Sequence, residues 1–133
     1  RRTAPIGMTA HVVYTEWDAE RPASLSPAII GEIIRDSIGF TGLLMSDDLD
    51  MQALSGTIPD RAAGVVAAGC DLALNCWGRM DDMIGIAERL PDITDVSRAR
   101  LDRAMTSVTC GADQPPIEEL LATRDTLLGL VPA

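Results

Sequence analysis

One stretch of this chain, GLLMSDDLDM at residues 42–51, carries more structural information than any other. An apolar run ends abruptly there at a hydroxyl group and two adjacent carboxylates. A helix-like segment, residues 27–38, and a glycine-containing turn precede it, so the run is typical of a buried strand that delivers Asp47 to the edge of a sheet. Functional side chains of α/β proteins are commonly found at that edge.

Strand and helix signals alternate around this stretch. Ser26 and Pro27 make a favourable helix start, with a hydroxyl at the N-cap and proline at the first helical position, and Gly39 is placed to end that helix. The predicted strands are the apolar segments at residues 6–14, 43–46 and 71–75.

A second helix is predicted between the second and third strands. Asp60 is placed to cap it, residues 61–68 form its body, and Gly69 closes it just before the third strand begins. Further helices are predicted at residues 80–90, 97–109 and 117–128.

Strands joined by helices predict a parallel sheet with right-handed crossovers, which belongs either to a doubly wound sheet or to a (β/α)8 barrel. Periodicity alone does not choose between these two α/β folds. Three strands are few for a free-standing parallel sheet, because its two edges would leave backbone groups unpaired. We therefore expect the chain to be part of a larger sheet.

The composition is that of a globular protein, with 47% hydrophobic and 23% charged residues in a chain of 133. The net charge of −9 comes from 20 acidic and 11 basic residues, and every basic residue is an arginine. The chain has no stripe of basic residues of the kind that binds nucleic acid. No apolar stretch approaches the roughly 20 residues that span a bilayer, and the first residues lack the apolar core of a secretion signal. These features favour a soluble, cytoplasmic protein.

Cysteine and histidine usage argues against a metal site of the zinc type. The chain has one histidine and three cysteines, and no pair of cysteines has the Cys-x-x-Cys spacing. We predict no metal and no cofactor from these residues. Cys70 and Cys76 flank an apolar run and are expected to be reduced core residues.

Asp47 has three possible roles on composition alone. At a strand end it can stay ionised and act as a nucleophile, or it can be a helix cap or solvated turn acid in a non-catalytic structural or interaction fragment. With Asp48 and Asp50 it can also form a carboxylate cluster for Mg²⁺ in a metal-dependent enzyme. A phospho-accepting receiver domain is disfavoured, because such domains use a lysine and this chain has none.

The segment from residue 33 to residue 50 resembles the active-site signature of family 3 glycoside hydrolases. That signature has two aliphatic residues, a basic residue, a spacer and a glycine. A four-residue run follows, apolar except for a final Ser or Thr, and then the nucleophilic aspartate. Ser37 departs from it, since a charged or amide residue is usual there. The matching positions are Ile33, Ile34, Arg35, Gly42, residues 43–46 and Asp47.

The resemblance extends over residues 5–91 and is to the bacterial β-N-acetylhexosaminidase branch of the family. It is carried by the segments 8–14, 22–26, 46–51 and 61–71 in the expected order. It implies the C-terminal portion of a TIM (β/α)8 barrel, in which about three parallel strands and their helices occupy residues 1–112. Residues 113–133 would be a C-terminal helical extension. A complete barrel needs about 250 residues.

The resemblance also implies a retaining exo-glycosidase without a cofactor. Asp47 would attack the anomeric carbon of a terminal β-linked N-acetylglucosamine and form a glycosyl-enzyme ester, which water then hydrolyses. The implied substrate is an N-acetylglucosamine-containing glycan or a cell-wall muropeptide, as in peptidoglycan recycling. Met51 is expected to border the sugar pocket, with simple packing as the alternative. His11 is expected either to line that pocket or to be a hydrogen-bonded core histidine.

One part of the family's machinery is absent from this sequence. The acid/base of the branch is a histidine paired with an aspartate, within a Lys-His-Phe-Pro-Gly-His-Gly motif that the chain lacks. We therefore expect the isolated chain to be inactive. Its strand edges are expected to pair with another copy or with the missing barrel half.

Overall fold

The computed structural model describes residues 4–106 and 115–129. It contains a sheet of three parallel strands in the order β1-β2-β3, so the strand carrying Asp47 is central. The strands are β1 (Ile6–Thr9), β2 (Leu43–Asp48) and β3 (Leu72–Leu74). The predicted α/β architecture with parallel strands is confirmed.

The predicted helices are also present, with small shifts of their ends. Their bounds are a 3-10 turn at Ala23–Leu25, a π-helix at Ile29–Ser37, α1 at Ile58–Ala67, α2 at Met80–Arg89, α3 at Asp95–Thr106 and α4 at Ile117–Gly129. The predicted helix end at 107–109 and the proposed boundary between residues 112 and 113 lie outside the described residues. Within those residues, none of the helices has the length and apolar character that a bilayer crossing requires.

The first strand is shorter than predicted and ends at Thr9 rather than at residue 14. Beyond it the backbone leaves the sheet and bonds to a nearer segment. The carbonyls of Ala10 and Val12 accept the N–H groups of Ser24 and Ala23 at 3.2 and 2.8 Å. The apolar residues that follow Thr9 therefore extend a local turn rather than the sheet.

Two predicted helix boundaries, at Ser26 and Gly69, follow the sequence signals, whereas the predicted start of α1 does not. The Ser26 hydroxyl accepts the N–H of Ile29 at 3.2 Å, as expected of an N-cap, and Gly69 closes α1 with a φ of 113° that favours glycine. The cap of α1 is Thr57 rather than Asp60, because the Thr57 hydroxyl accepts the Asp60 N–H at 3.3 Å. Asp60 lies inside the first turn, where its negative charge interacts favourably with the helix dipole.

The hydrophobic core lies between one face of the sheet and the helices that cover it. The π-helix contributes Ile30 to the core, and α1 contributes more residues than any other element. The buried members of the core are Ile30, Leu44, Leu49, Leu54, Ile58, Ala62, Val65, Ala68 and Cys70. On β1 the alternate residues Ile6 and Met8 are 42% and 54% exposed, so the other face of that strand is open to solvent.

Asp71 connects the sheet to two helical elements just before β3 begins. One carboxylate oxygen accepts the backbone N–H of Leu44 at 2.8 Å and a guanidinium N–H of Arg35 at 2.7 Å. The other oxygen accepts Ser97 at 2.7 Å and Arg100 at 2.8 Å. The side chain is only 2% exposed, so the bonds from Leu44 and Ser97 are buried and those from the two arginines are partly buried.

Burial by itself would raise the pKa of Asp71, because a charge in the interior is poorly solvated. The hydrogen bonds from the Leu44 N–H, Ser97 and Arg100, together with the positive charge of Arg100, outweigh that effect and lower the pKa below its usual value. The carboxylate is therefore ionised at neutral pH. It holds β2, the π-helix and α3 in one arrangement.

Replacing Asp71 by asparagine keeps the size of the side chain but removes the charge that the two arginines face. We expect the free energy of unfolding to fall by about 3–5 kcal/mol, the usual loss when one member of a buried ion pair is removed. Urea denaturation followed by circular dichroism measures this change. Asp125→Asn removes an exposed ion pair with Arg124 and should change stability little. Equal losses in both variants would contradict the assigned importance of Asp71.

The same carboxylate makes stability depend on pH. Because the pKa of Asp71 is lower in the folded protein than in the unfolded chain, its contribution is complete above about pH 5 and is lost as the pH falls through the folded value. Denaturation at a series of pH values from neutral to acid should show the curves of the wild type and Asp71→Asn converging. A gap between the two that stays constant on acidification would contradict this.

Candidate active site

Asp47 lies at the carboxyl end of the central strand, within β2, and its side chain is half-buried. One of its carboxylate oxygens accepts the backbone N–H of Asp48 at 2.8 Å. This bond fixes the carboxylate relative to the peptide that follows it. The sequence prediction placed Asp47 at the rim of the sheet, and this is where the structure has it.

The pairing between β2 and β3 is irregular at this position. Met45 pairs with Leu72 and Asp48 with Leu74, so three steps along β2 match two along β3. The Leu74 N–H donates to the Ser46 hydroxyl oxygen at 3.0 Å, and that hydroxyl donates to the Asp47 carbonyl at 2.8 Å. The irregularity is a bulge, a feature that often redirects a side chain beside an active site.

Asp48 uses its carboxylate to order the loops at the rim. One oxygen accepts the backbone N–H of Asp50 and that of Cys76, both at 3.2 Å. Desolvation opposes ionisation of this group, but the two N–H donors lower the pKa of Asp48 below its usual value. Asp48 thus links the loop after β2 to the loop after β3.

His11 and Met51, the two residues expected near the sugar, both bond to the main chain of Asp48. The carbonyl oxygen of Asp48 accepts His11 Nε2 at 3.0 Å and the backbone N–H of Met51 at 3.2 Å. His11 is 8% exposed, whereas Met51 is 41% exposed. The structure therefore brings both residues to the peptide next to Asp47, one from beneath the rim and one at its surface.

Both ring nitrogens of His11 are occupied by protein groups. A carbonyl oxygen can only accept, so Nε2 carries a proton, and in the neutral ring Nδ1 then accepts the Ser24 hydroxyl at 2.7 Å. This is the geometry of the hydrogen-bonded core interpretation. No ring nitrogen remains available to a ligand while these two bonds are made.

Two arginines hold the loop that follows Asp47. Arg61 donates to the carbonyls of Leu49 and Met51 at 2.6 and 3.1 Å and to that of Gly56 at 3.0 Å. Arg79 pairs with Asp50 at 3.1 Å. Arg61 therefore holds this loop through backbone carbonyls, and Arg79 holds it through a carboxylate.

Three carboxylates, those of Asp47, Asp48 and Asp50, lie at the rim near Cys76. Desolvation and then the charges of Asp48, Asp50 and Asp47 raise the pKa of the Cys76 thiol, so it stays protonated at neutral pH. Cys76 is exposed and is not the core residue that was expected. Cys70 is buried, as predicted, and burial raises its pKa to about 11. A carboxylate, rather than a thiolate, is the nucleophile this rim can offer.

Clustered carboxylates of this kind suit a reaction in which positive charge develops on a bound substrate. Within the described parts of the chain, no group of three or more histidine, cysteine, aspartate or glutamate side chains is arranged to hold a metal ion. The magnesium alternative therefore has no supporting geometry among those residues.

Comparison with known proteins points to one family. The profile of the glycosyl hydrolase family 3 N terminal domain matches residues 3–110. A Beta-hexosaminidase from Alkalilimnicola ehrlichii is 41% identical over 98 residues, covering 72% of this chain and 28% of that protein. Another from Aromatoleum aromaticum is 38% identical over 130 residues, covering 93% and 36%. The chain thus spans about a third of the length of these relatives.

Solved structures agree with this result. A family 3 β-N-acetylglucosaminidase from a Paenibacillus species superposes with a TM-score of 0.65 at 25% identity, over 86% of this chain and 25% of that one. NagZ from Neisseria gonorrhoeae, in complex with N-trifluoroacetyl-D-glucosamine, gives a TM-score of 0.59 at 34% identity, over 71% and 26%. These neighbours have TIM-barrel-type domains, which confirms the predicted fold class. The chain belongs to glycosyl hydrolase family 3, and it carries part of the family's N-terminal domain.

Proposed function

We propose that this chain carries the nucleophile of a retaining β-N-acetylglucosaminidase, and that Asp47 is that nucleophile. The observation that carries the proposal is the placement of Asp47. Its carboxylate is half-buried at the carboxyl end of the central parallel strand, and a backbone N–H orients it. The relatives named Beta-hexosaminidase support the activity class.

In the proposed reaction, Asp47 attacks the anomeric carbon of a terminal β-linked N-acetylglucosamine while the glycosidic oxygen leaves with a proton from a general acid. The bond between carbon and leaving oxygen breaks, and a glycosyl ester of Asp47 forms. Water then attacks the same carbon and gives up a proton to the conjugate base, and the Asp47 carboxylate is released. Because each of the two steps inverts the configuration at the anomeric carbon, the product keeps the configuration of the substrate.

The general acid is not supplied by the one histidine of this chain. His11 is buried, and its two ring nitrogens are held by Ser24 and by the Asp48 carbonyl. Proton transfer requires a group within hydrogen-bond reach of the leaving oxygen. We therefore assign His11 to fixing the main chain beneath Asp47, and the exposed Met51 to the border of the sugar site.

The proposed substrate class is an N-acetylglucosamine-containing glycan, including a cell-wall muropeptide. NagZ from Neisseria gonorrhoeae, which resembles this chain in fold, was solved with an N-acylated glucosamine bound. That complex supports an N-acyl amino sugar as the group recognised beside Asp47.

The test uses a hybrid in which the part of the Aromatoleum aromaticum relative that this chain does not match is joined to the present sequence. The hybrid should release nitrophenol from p-nitrophenyl N-acetyl-β-glucosaminide. Asp47→Ala should lower kcat by about a thousandfold or more, as expected for loss of a nucleophile. A fluorinated N-acetylglucosaminyl donor should label the peptide that contains Asp47, which mass spectrometry detects.

Two controls accompany the hybrid. Asp125→Asn removes an exposed carboxylate on α4 and should leave kcat unchanged. The isolated chain should hydrolyse the substrate at no useful rate, because nucleophile and acid must act on the same bond. An active hybrid that is insensitive to Asp47→Ala, or an inactive hybrid without labelling, would favour the non-catalytic interpretation. Brisk release by the isolated chain would show that it contains its own acid.

We also propose that the sheet of this chain is completed by another polypeptide segment. Among the described residues, β1 and β3 pair with β2 alone, so each leaves one edge unpaired. Ile6 and Met8 are exposed on β1, and such apolar, unpaired edges favour association.

Light scattering after size-exclusion chromatography tests this association. The isolated chain should show a mass above that of one copy, and Met8→Glu should shift the equilibrium towards a single copy by placing a charge on the exposed face. A clean monomer across the accessible concentration range would count against pairing of the chain with itself.

A further inference from the structure

The bulge in β2 beside Asp47 brings a side chain into the pairing of β2 with β3. In a regular parallel ladder, backbone carbonyls of one strand accept the N–H groups of the next. At this bulge the N–H of Leu74 donates to the hydroxyl of Ser46, at 3.0 Å. A side-chain oxygen thus takes part in the bonding between the two strands.

The same hydroxyl also acts as a donor. It gives its proton to the carbonyl oxygen of Asp47 at 2.8 Å. Ser46 is completely buried, and both of its bonds are partly shielded from water. A serine hydroxyl has one proton to donate and can accept at the same time. It therefore connects the backbone of β3 to the peptide that carries Asp47.

This connection matters because of how the carboxylate itself is held. Its hydrogen bond comes from the N–H of Asp48, which belongs to the adjoining peptide. That bond ties the carboxylate to its own backbone but does not tie the backbone to the sheet. On the β3 side, the chain of bonds from Leu74 through Ser46 to the Asp47 carbonyl makes such a link at the Asp47 peptide itself. The Leu49 N–H adds a link two residues along by donating to the Leu74 carbonyl at 2.9 Å.

We propose that Ser46 is a positioning residue for the nucleophile, whose buried hydroxyl joins the Leu74 N–H to the Asp47 carbonyl and so aims the Asp47 carboxylate. The inference rests on the proposed function of Asp47. Ser46 itself does not touch the substrate. It acts by setting the direction of the peptide from which Asp47 projects.

Removing the hydroxyl leaves two partly buried backbone groups, the Leu74 N–H and the Asp47 carbonyl, without this partner. Buried polar groups are strongly driven to find new partners, so the bulge relaxes by rotation of the Asp47 peptide. A displacement of about 1 Å at a reacting group can cost about a hundredfold in rate. Threonine retains the hydroxyl and preserves the connection.

The test compares three variants in the hybrid. Ser46→Ala should lower kcat by about tenfold to a hundredfold while KM changes by less than about twofold, because binding groups are untouched. Ser46→Thr should restore most of kcat. Ser97→Ala is the matched control, since it also removes a buried hydroxyl bond, to Asp71 at 2.7 Å. It should lower the melting temperature without lowering kcat of the folded protein.

A second measurement uses the isolated chain and does not depend on activity. Amide hydrogen exchange, followed by NMR, should become faster at Leu74 and Asp48 in Ser46→Ala but not in Ser97→Ala. An unchanged kcat in Ser46→Ala, equal kcat losses in Ser46→Ala and Ser97→Ala, or failure of Ser46→Thr to restore kcat would overturn the proposal. An inactive parent hybrid would refute the proposed function, and the exchange rates would then decide alone whether Ser46 orders this peptide.

Discussion

The buried carboxylate of Asp71 receives donors from three parts of the fold, and the relation between the sheet and its helices depends on it. It bonds Leu44 in the central strand, Arg35 on the π-helix, and two side chains of α3. Arg35 meanwhile donates to the carbonyls of Phe40 and Gly42 in the turn that leads into β2. The start of β2, the strand that carries Asp47, is thereby fixed both at its backbone and at the turn that precedes it.

All 11 basic residues of the chain are arginine, which suits this kind of anchoring. A guanidinium group presents several donors in a fixed plane, whereas an ammonium group is a single compact charge. Arg35 bonds one carboxylate and two carbonyls, and Arg61 bonds the carbonyls of three different loop residues. Both ends of the central strand are thus held by planar guanidinium groups.

The sequence predicted the framework well because the framework depends on local signals. Apolar runs located the three strands, and proline, glycine and hydroxyl residues located most helix ends. The shortening of β1 was not predictable, because Ala10 and Val12 bond to residues that approach only in the folded chain. The cap at Thr57 was missed because Asp60 is an equally good capping residue when spacing alone is considered.

At the candidate site, the sequence identified Asp47, the proposed nucleophile, but not the groups that hold it. Asp47 could be found from the abrupt end of an apolar run, and the family resemblance sharpened its role. The bonds of Asp48 to Cys76, of Arg61 to Leu49 and of Leu74 to Ser46 join residues 28, 12 and 28 positions apart. No pattern within one segment reveals such pairs. They arise from the way two adjacent βα loops meet at the end of parallel strands.

The edges of β1 and β3 that face away from β2 have a thermodynamic consequence, since no described residue pairs with them. Given the proposed role of Asp47, a sugar bound there that also contacts a segment added at one of these edges would stabilise the contact between that segment and the sheet, because a ligand that binds only the joined form favours it. Occupancy of the site and completion of the sheet would then increase together with the substrate concentration.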